Sequence, residues 1–304
     1  MMLSRIVFIL AATVYQAQSH YVFDKLILGN GTITESWQFV RENTRTEKYM
    51  PTKFINSFGT TPLDVDFRCN QGSFASAAKT QVAEIVAGET LGLQVAGGAT
   101  MKHPGPAQVY LSKASGDVRE YDGSGDWFKI YQETLCGSTT DGLQDTDWCS
   151  WDKDRVVFTV PSNTPSGEYL VRVEQIGLHG AHVGEAEFYY SCAQLRISGS
   201  GTTSPAPLVK IPGIYSNEDP AIHFSIYGAT NYPYYPGPAV WTGNATSSDV
   251  PTPGNATSAR VSTGTPAATR TWTSDPQTVP VSTFSPSCPI SKQKARHGHR
   301  KHQY

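Results

Sequence analysis

The sequence predicts an all-β protein, an antiparallel sandwich whose strands are joined by long loops. Short β-prone runs alternate with turn residues along most of the chain. The 304 residues include 27 Gly and 20 Pro, which punctuate loops, while 38% are hydrophobic and 11% aromatic, enough for a core between sheets. Strand periodicity shows in "DVDF" (Asp64–Phe67) and in "YLVRVEQI", where Tyr169, Val171 and Val173 fall on one face.

Residues 1–19 read "MMLSRIVFILAATVYQAQS". Arg5 gives a short positive start, and the apolar run Ile6–Val14 is too short to span a bilayer. Ala17 and Ser19 put small residues three and one before a cut ahead of His20. The segment reads as a secretory signal peptide, and no later stretch reaches transmembrane length. The mature protein is therefore expected to be secreted, extracellular and free of the membrane. Cleavage would make His20 the N-terminus, with an amine and an imidazole on one residue. The α-amine titrates near 8, so it can give up its proton to a metal.

Residues 20–242 form the expected domain. Strands are anticipated within "LDVDFRC" (63–69), "TQVAEIVAG" (80–88), "LGLQVAG" (91–97), "AQVYLSKA" (107–114), "DRVVFTVP" (154–161), "GEYLVRVEQIGLHG" (167–180) and "AEFYYSCAQLRIS" (186–198). Edges and loops are the expected carriers of any site.

Residues 243–287 differ in kind: 24 of these 45 are Ser, Thr or Pro, the composition of a linker or glycosylated stalk. Asn30, Asn244 and Asn255 lie in N-x-T sequons. Residues 288–304 form a basic tail, its last 14 residues carrying five Lys or Arg and three His. The near balance of 24 basic and 26 acidic residues hides this layout: residues 20–290 hold 18 basic and 26 acidic side chains, a formal −8. Such a domain is not a nucleic-acid binder.

Five Cys exclude a disulfide-dense miniature scaffold, and secretion permits bridges. Spacing alone leaves the connectivity of Cys69, Cys136, Cys149, Cys192 and Cys288 open. No C-x-x-C, H-E-x-x-H, G-x-S-x-G, Walker or Rossmann pattern is present. A glycosidase carboxylate pair stays open, because nothing in the sequence sets the separation of Asp64, Asp66 and Glu187.

The histidines of the domain are His20, His103, His179, His182 and His223. His103 sits in "MKHPGPAQVYLSK", where Pro104 and Pro106 stiffen the chain and Gly105 lets the backbone come close. Alternation puts Glu187 and Tyr189 on one side of a strand.

In order along the chain stand "HYVFDKLILGNGT" at His20, "W-x-x-VR" at Trp37–Arg41, "RCN" at Arg68–Asn70, "HPGPAQVYLSK" at His103–Lys113, "GDWFKIY" at Gly125–Tyr131, "GEYLVRVEQIGLH" at Gly167–His179, "EFYYSCAQLRI" at Glu187–Ile197 and a late "YYPGPAVW". With this set, His20 to about Trp241 resembles the fungal lytic polysaccharide monooxygenases of auxiliary activity family 9. The resemblance implies an immunoglobulin/fibronectin-like sandwich carrying a flat surface copper site. It implies one copper per chain, held by His20 and His103, with Tyr189 as the buried axial residue and His179 as an outer-sphere histidine. The activity implied is oxidative cleavage of β-1,4-linked polysaccharide, cellulose or a related glucan or hemicellulose, by hydroxylation at C1 and/or C4. O2 or H2O2 is the implied oxidant, and an external donor (a small phenol, ascorbate or a redox protein) supplies electrons.

Tyr21, Tyr232, Tyr234 and Tyr235 are candidate sugar-stacking aromatics. The resemblance pairs Cys69 with Cys192. Cys136–Cys149 is the second expected bridge, and Cys288 is left over. The family usually has Gln where this chain has Glu187, which makes Glu187 a site residue with altered hydrogen bonding. A monomer is expected. The alternative is a secreted glycan- or copper-binding sandwich without turnover.

Overall fold

The computed structural model describes residues 20–137 and 141–244. The signal segment, Asn255, Cys288, most of the linker and the basic tail lie outside the described residues. Eight strands are present among the described residues: β1 Phe23–Ile27, β2 Ala83–Val86, β3 Thr90–Val95, β4 Ala107–Lys113, β5 Trp127–Glu133, β6 Arg155–Thr159, β7 Gly167–Gly177 and β8 Glu187–Ser198. They form a three-stranded sheet ordered β1-β3-β6 and a five-stranded sheet ordered β2-β8-β7-β4-β5. Helix among the described residues is limited to short 3-10 turns, and no helix among them is long and apolar enough to cross a membrane.

The two sheets face each other across one core. Phe23, Leu91, Leu93, Val156 and Phe158 from the smaller sheet meet Val109, Leu111, Tyr169, Val171, Val173, Ala193 and Leu195 from the larger. The alternation expected in β7 is therefore present, with Tyr169, Val171 and Val173 inward. The larger sheet is buried on its other face too. There Tyr110, Leu170, Phe188, Tyr190 and Cys192 pack under loops that contribute Phe67, Trp148, Tyr215 and Ile222. Burial on both faces explains why β7 and β8 read as nearly continuous apolar runs.

Two expectations need correction. The sandwich is not wholly antiparallel: β2 pairs with β8 in parallel, from Ala83↔Leu195 to Val86↔Ser198. No hairpin joins these two strands, so no tight turn forces them antiparallel. "DVDF" is not a strand either. Val65–Arg68 is a 3-10 turn in which Phe67 is buried while Val65 is 62% exposed. The Asp64 carboxylate accepts from the Thr61 N–H at 2.7 Å and from the Thr61 hydroxyl at 2.8 Å. That local bond favours a turn over an extended chain.

Cys69 bonds to Cys192 across 123 residues, and Cys136 bonds to Cys149 across 13. The first bridge fixes the turn after Phe67 to the middle of β8. The second closes the loop between β5 and β6.

Candidate metal centre

The strand ends at one edge of the sandwich bring His20, His103, His179, Glu187 and Tyr189 together. His20 lies three residues before the start of β1. His103 lies in the loop entering β4, and its place is fixed by backbone: Pro104 O accepts from Leu178 N–H at 2.8 Å, and Pro106 O accepts from Ile176 N–H at 2.9 Å. Between them Gly105 passes so close to β7 that a Cβ there would lie 1.8 Å from the Ile176 carbonyl oxygen. Only glycine fits. Gln175, at the end of β7, donates to the His103 carbonyl at 2.9 Å and accepts from the Tyr21 hydroxyl.

The aromatic rings are layered. His20 and His103 have ring centroids 5.7 Å apart. Tyr189 packs against both, at 5.3 Å and 15° from His103 and at 6.1 Å from His20. Tyr21 stacks on Tyr189 at 4.2 Å. His179 stacks on His103 at 4.5 Å and 19°. Burial makes the order vertical: the His20 and His179 side chains are 29% and 35% exposed, His103 10% and Glu187 4%.

Glu187 sits at the centre. Its Oε2 lies 3.5 Å from His103 Nε2 and 3.9 Å from His20 Nε2, and accepts a 2.5 Å hydrogen bond from the Tyr189 hydroxyl. Its Oε1 is 3.7 Å from His179 Nε2 and 2.9 Å from the Lys53 ammonium. His20, His103 and Glu187 each offer a ligand atom within 4.8 Å of the others.

Electrostatics match this layout. Burial pushes His103 down from 6.5 to about 4, which the Glu187 charge offsets only in part. Its imidazole is thus neutral at neutral pH and its lone pair free. Burial lowers His179 as well, again opposed by Glu187. Burial alone would raise Glu187. The hydrogen bonds from Tyr189 and Lys53 and the nearby imidazoles outweigh it, so the carboxyl titrates below its usual range. Burial and the Glu187 charge hold the Tyr21 and Tyr189 phenols well above 10, so both stay protonated.

The pocket fits a metal ion. His103 Nε2 is buried and has no hydrogen-bond partner. A buried polar atom left unpaired is costly unless a ligand takes it. Imidazole nitrogens suit copper among the first-row metals.

The structure separates the aromatic candidates. Tyr21 and Tyr232 are only 3% and 4% exposed, which removes them from a sugar-stacking surface. Tyr21 is covered by its stack on Tyr189. Tyr232 packs edge-on against Trp148 and Phe224, and its hydroxyl donates to Ala221 O at 2.7 Å. Tyr235 is 59% exposed, and with Tyr234 it lines a cleft beside Ile214 and Asp219. Two aromatics near the histidines carry no sequence signal. Tyr49 stacks on His20 at 6.5 Å, and Tyr227, 62% exposed, meets His182 edge-on at 5.3 Å. Four clefts of about 180–440 Å³ are lined by residues other than His20, His103 and His179. Asn30 and Asn244 are exposed.

Comparison with known proteins converges on one family. Residues 20–235 match Auxiliary Activity family 9 (formerly GH61). The chain is 52% identical over 240 residues to an AA9 family lytic polysaccharide monooxygenase G of Aspergillus tamarii, covering 79% of this chain and 71% of that protein. It is 52% identical over 229 residues to an AA9 family lytic polysaccharide monooxygenase A of Aspergillus fumigatus, covering 75% and 78%. Its fold is similar to the crystal structure of a cellulose-active polysaccharide monooxygenase from M. thermophila, with TM-score 0.61 and 28% identity over 74% of this chain and 100% of that one.

Proposed function

Because the chain belongs to auxiliary activity family 9, we propose that it is a copper-dependent enzyme that cleaves β-1,4-linked polysaccharide oxidatively, through the pair His20 and His103. The observation that carries this reading is the buried, unpartnered Nε2 of His103 beside the His20 imidazole.

His20 and His103 would hold the ion by their imidazoles, and His20 also by its amine once cleavage after Ser19 has freed it. When bound, copper supplies one-electron chemistry, taking an electron from an external donor and activating O2 or H2O2 for hydroxylation at C1 or C4. The chain's own residues do the rest. Both imidazoles are positioned before any ligand arrives, so little reorganisation is needed at each redox change. Tyr189 closes the buried side, its phenol tied to Glu187 Oε2. A proton on His179 Nε2 would point at Glu187 Oε1, 3.7 Å away. His179 is thus placed to hold a proton beside Glu187 and the His103 ring.

The His20 and His179 side chains reach the surface, 29% and 35% exposed, and this supports an extended glucan such as cellulose as substrate. With Tyr21 and Tyr232 buried, Tyr49 is the aromatic beside the centre on which a sugar ring would stack. Tyr234 and Tyr235 remain candidates farther along the chain. The electron donor is a small phenol, ascorbate or a redox protein. Residues 1–19 are removed as a signal peptide and the protein is secreted as a monomer, with 243–287 a linker and 288–304 a basic tail. Asn30, Asn244 and Asn255 are glycan acceptors.

The test uses processed protein with one copper equivalent, incubated with cellulose, xyloglucan, glucomannan and xylan plus reductant. Mass spectrometry is expected to find oxidised oligosaccharides from at least one β-1,4-glucan. Release of unoxidised sugars only, with or without reductant, would overturn the reading.

A further inference from the structure

Beside the two histidines lies a feature the reaction outlined above does not use: a largely covered lysine paired with the central carboxylate. Lys53 Nζ is 2.9 Å from Glu187 Oε1, and their side chains are 11% and 4% exposed. Lys53 is not a mobile surface lysine. The preceding residue, Thr52, is paired with Phe188 of β8 by two backbone hydrogen bonds of 2.9 and 3.0 Å. The Thr52 side chain is held in turn by the Arg45 guanidinium and the Tyr190 hydroxyl, each at 2.9 Å. The pairing sets Lys53 directly alongside Glu187. The ammonium also lies 5.5 Å from the centre of the Phe58 ring and 3.4 Å from Glu185 Oε2. Glu185 is steadied by a 2.5 Å hydrogen bond from Asn56.

The pair has a consequence for metal binding. A carboxylate among two or three imidazoles is itself a good ligand for a divalent ion, and Glu187 has an oxygen near both His20 and His103. Both of its oxygens are already engaged, Oε1 by Lys53 and Oε2 by Tyr189. Oε2 faces the imidazoles while Oε1 is held by Lys53, so turning Oε2 into the coordination shell would draw the carboxylate away from the ammonium and from the Tyr189 hydroxyl. Lys53 would keep only its longer 3.4 Å contact to Glu185 Oε2, and a largely covered charge that loses its closer partner is destabilised. Lys53 also cancels the carboxylate charge beside the ion.

We propose that Lys53 is a positioning residue that holds Glu187 next to the copper as a hydrogen-bonding neighbour and keeps it from becoming a ligand. The inference rests on the copper reading above. Lys53 touches neither substrate nor metal in this scheme. It acts through Glu187, and it keeps the ion's ligands nitrogenous.

The test is electron paramagnetic resonance of the Cu(II)-loaded, processed full chain, with Cu(II) affinity measured by calorimetry. Lys53→Met is expected to free Glu187 to coordinate. The g and hyperfine values should change, and Cu(II) affinity should tighten by about tenfold, the scale of an outer-sphere effect. The double variant Lys53→Met/Glu187→Gln should return to the wild-type spectrum, as should Lys53→Arg. If Lys53→Met does not fold, Lys53→Ala, which likewise offers no donor and no charge to Glu187, serves instead. A wild-type spectrum in the single variant would overturn the proposal, as would an altered spectrum that persists in the double variant. Failure of the wild-type protein to bind copper would instead overturn the reading on which the proposal rests.

Discussion

His103 shows how much of the centre depends on the state of one side chain. It is neutral because burial drops its pKa from 6.5 to about 4. The folded value lies below the unfolded one, so between pH 6.5 and 4 the unfolded chain takes up a proton that the folded chain does not. Its contribution is fully present above pH 6.5 and is lost as pH falls toward 4. The loss amounts to roughly 3 kcal/mol in the metal-free protein. Melting metal-free wild type and His103→Gln across this range checks it. Wild type should lose stability faster as the solution is acidified, and parallel curves would refute the assignment. The sequence made His103 legible through its Pro-Gly-Pro frame, and it put Glu187 and Tyr189 on one face by simple alternation. It did not reveal Lys53, which meets Glu187 across 134 positions with no local motif to mark the contact.

At the scale of the elements, the site depends on how closely the His103 loop rides on the end of β7. Gly105→Ala would drive a Cβ into the Ile176 carbonyl, 1.8 Å away. Gly177→Ala would put one 3.0 Å from His103 Cβ and 3.4 Å from His179 Nδ1, tight but short of overlap. The first is expected to lower stability by about 1–3 kcal/mol or more. The second should fold yet bind copper more weakly, because it pushes on both imidazoles. Thermal melts and copper titration of the two variants separate these effects, and equal behaviour would show that the close approach is not what places His103. Strands β2, β3, β4, β6, β7 and β8 were legible because apolar residues recur where the sheets bury them. "DVDF" is not a strand because its alternation reflects a 3-10 turn with one buried residue, Phe67, entered by a chain that Asp64 ties back to Thr61. Tyr21 and Tyr232 looked like surface aromatics only because burial of a ring depends on distant packing partners, Tyr189 in one case and Trp148 in the other.

For the whole molecule, the bridges should matter unequally. Cys69–Cys192 closes 123 residues and Cys136–Cys149 only 13, so removing the first restores more freedom to the unfolded chain. Replacing both cysteines of the longer bridge by Ser should cost about 2–5 kcal/mol, and the shorter bridge less. Chemical denaturation gives both values, and the reverse order would contradict the argument. The sandwich delivers two histidines from opposite sheets to one edge, His20 just before β1 and His103 just before β4. Its proposed last step is proteolytic, because the amine of His20 exists only after cleavage. The most direct test of that scheme compares copper binding by the chain beginning at His20 with a chain that retains Ser19. The processed chain should bind one equivalent with a nitrogen-rich Cu(II) spectrum, and the extended chain should bind at least tenfold more weakly, as expected on losing a ligand. Equal affinity and identical spectra for the two forms, or no binding by either, would contradict the account.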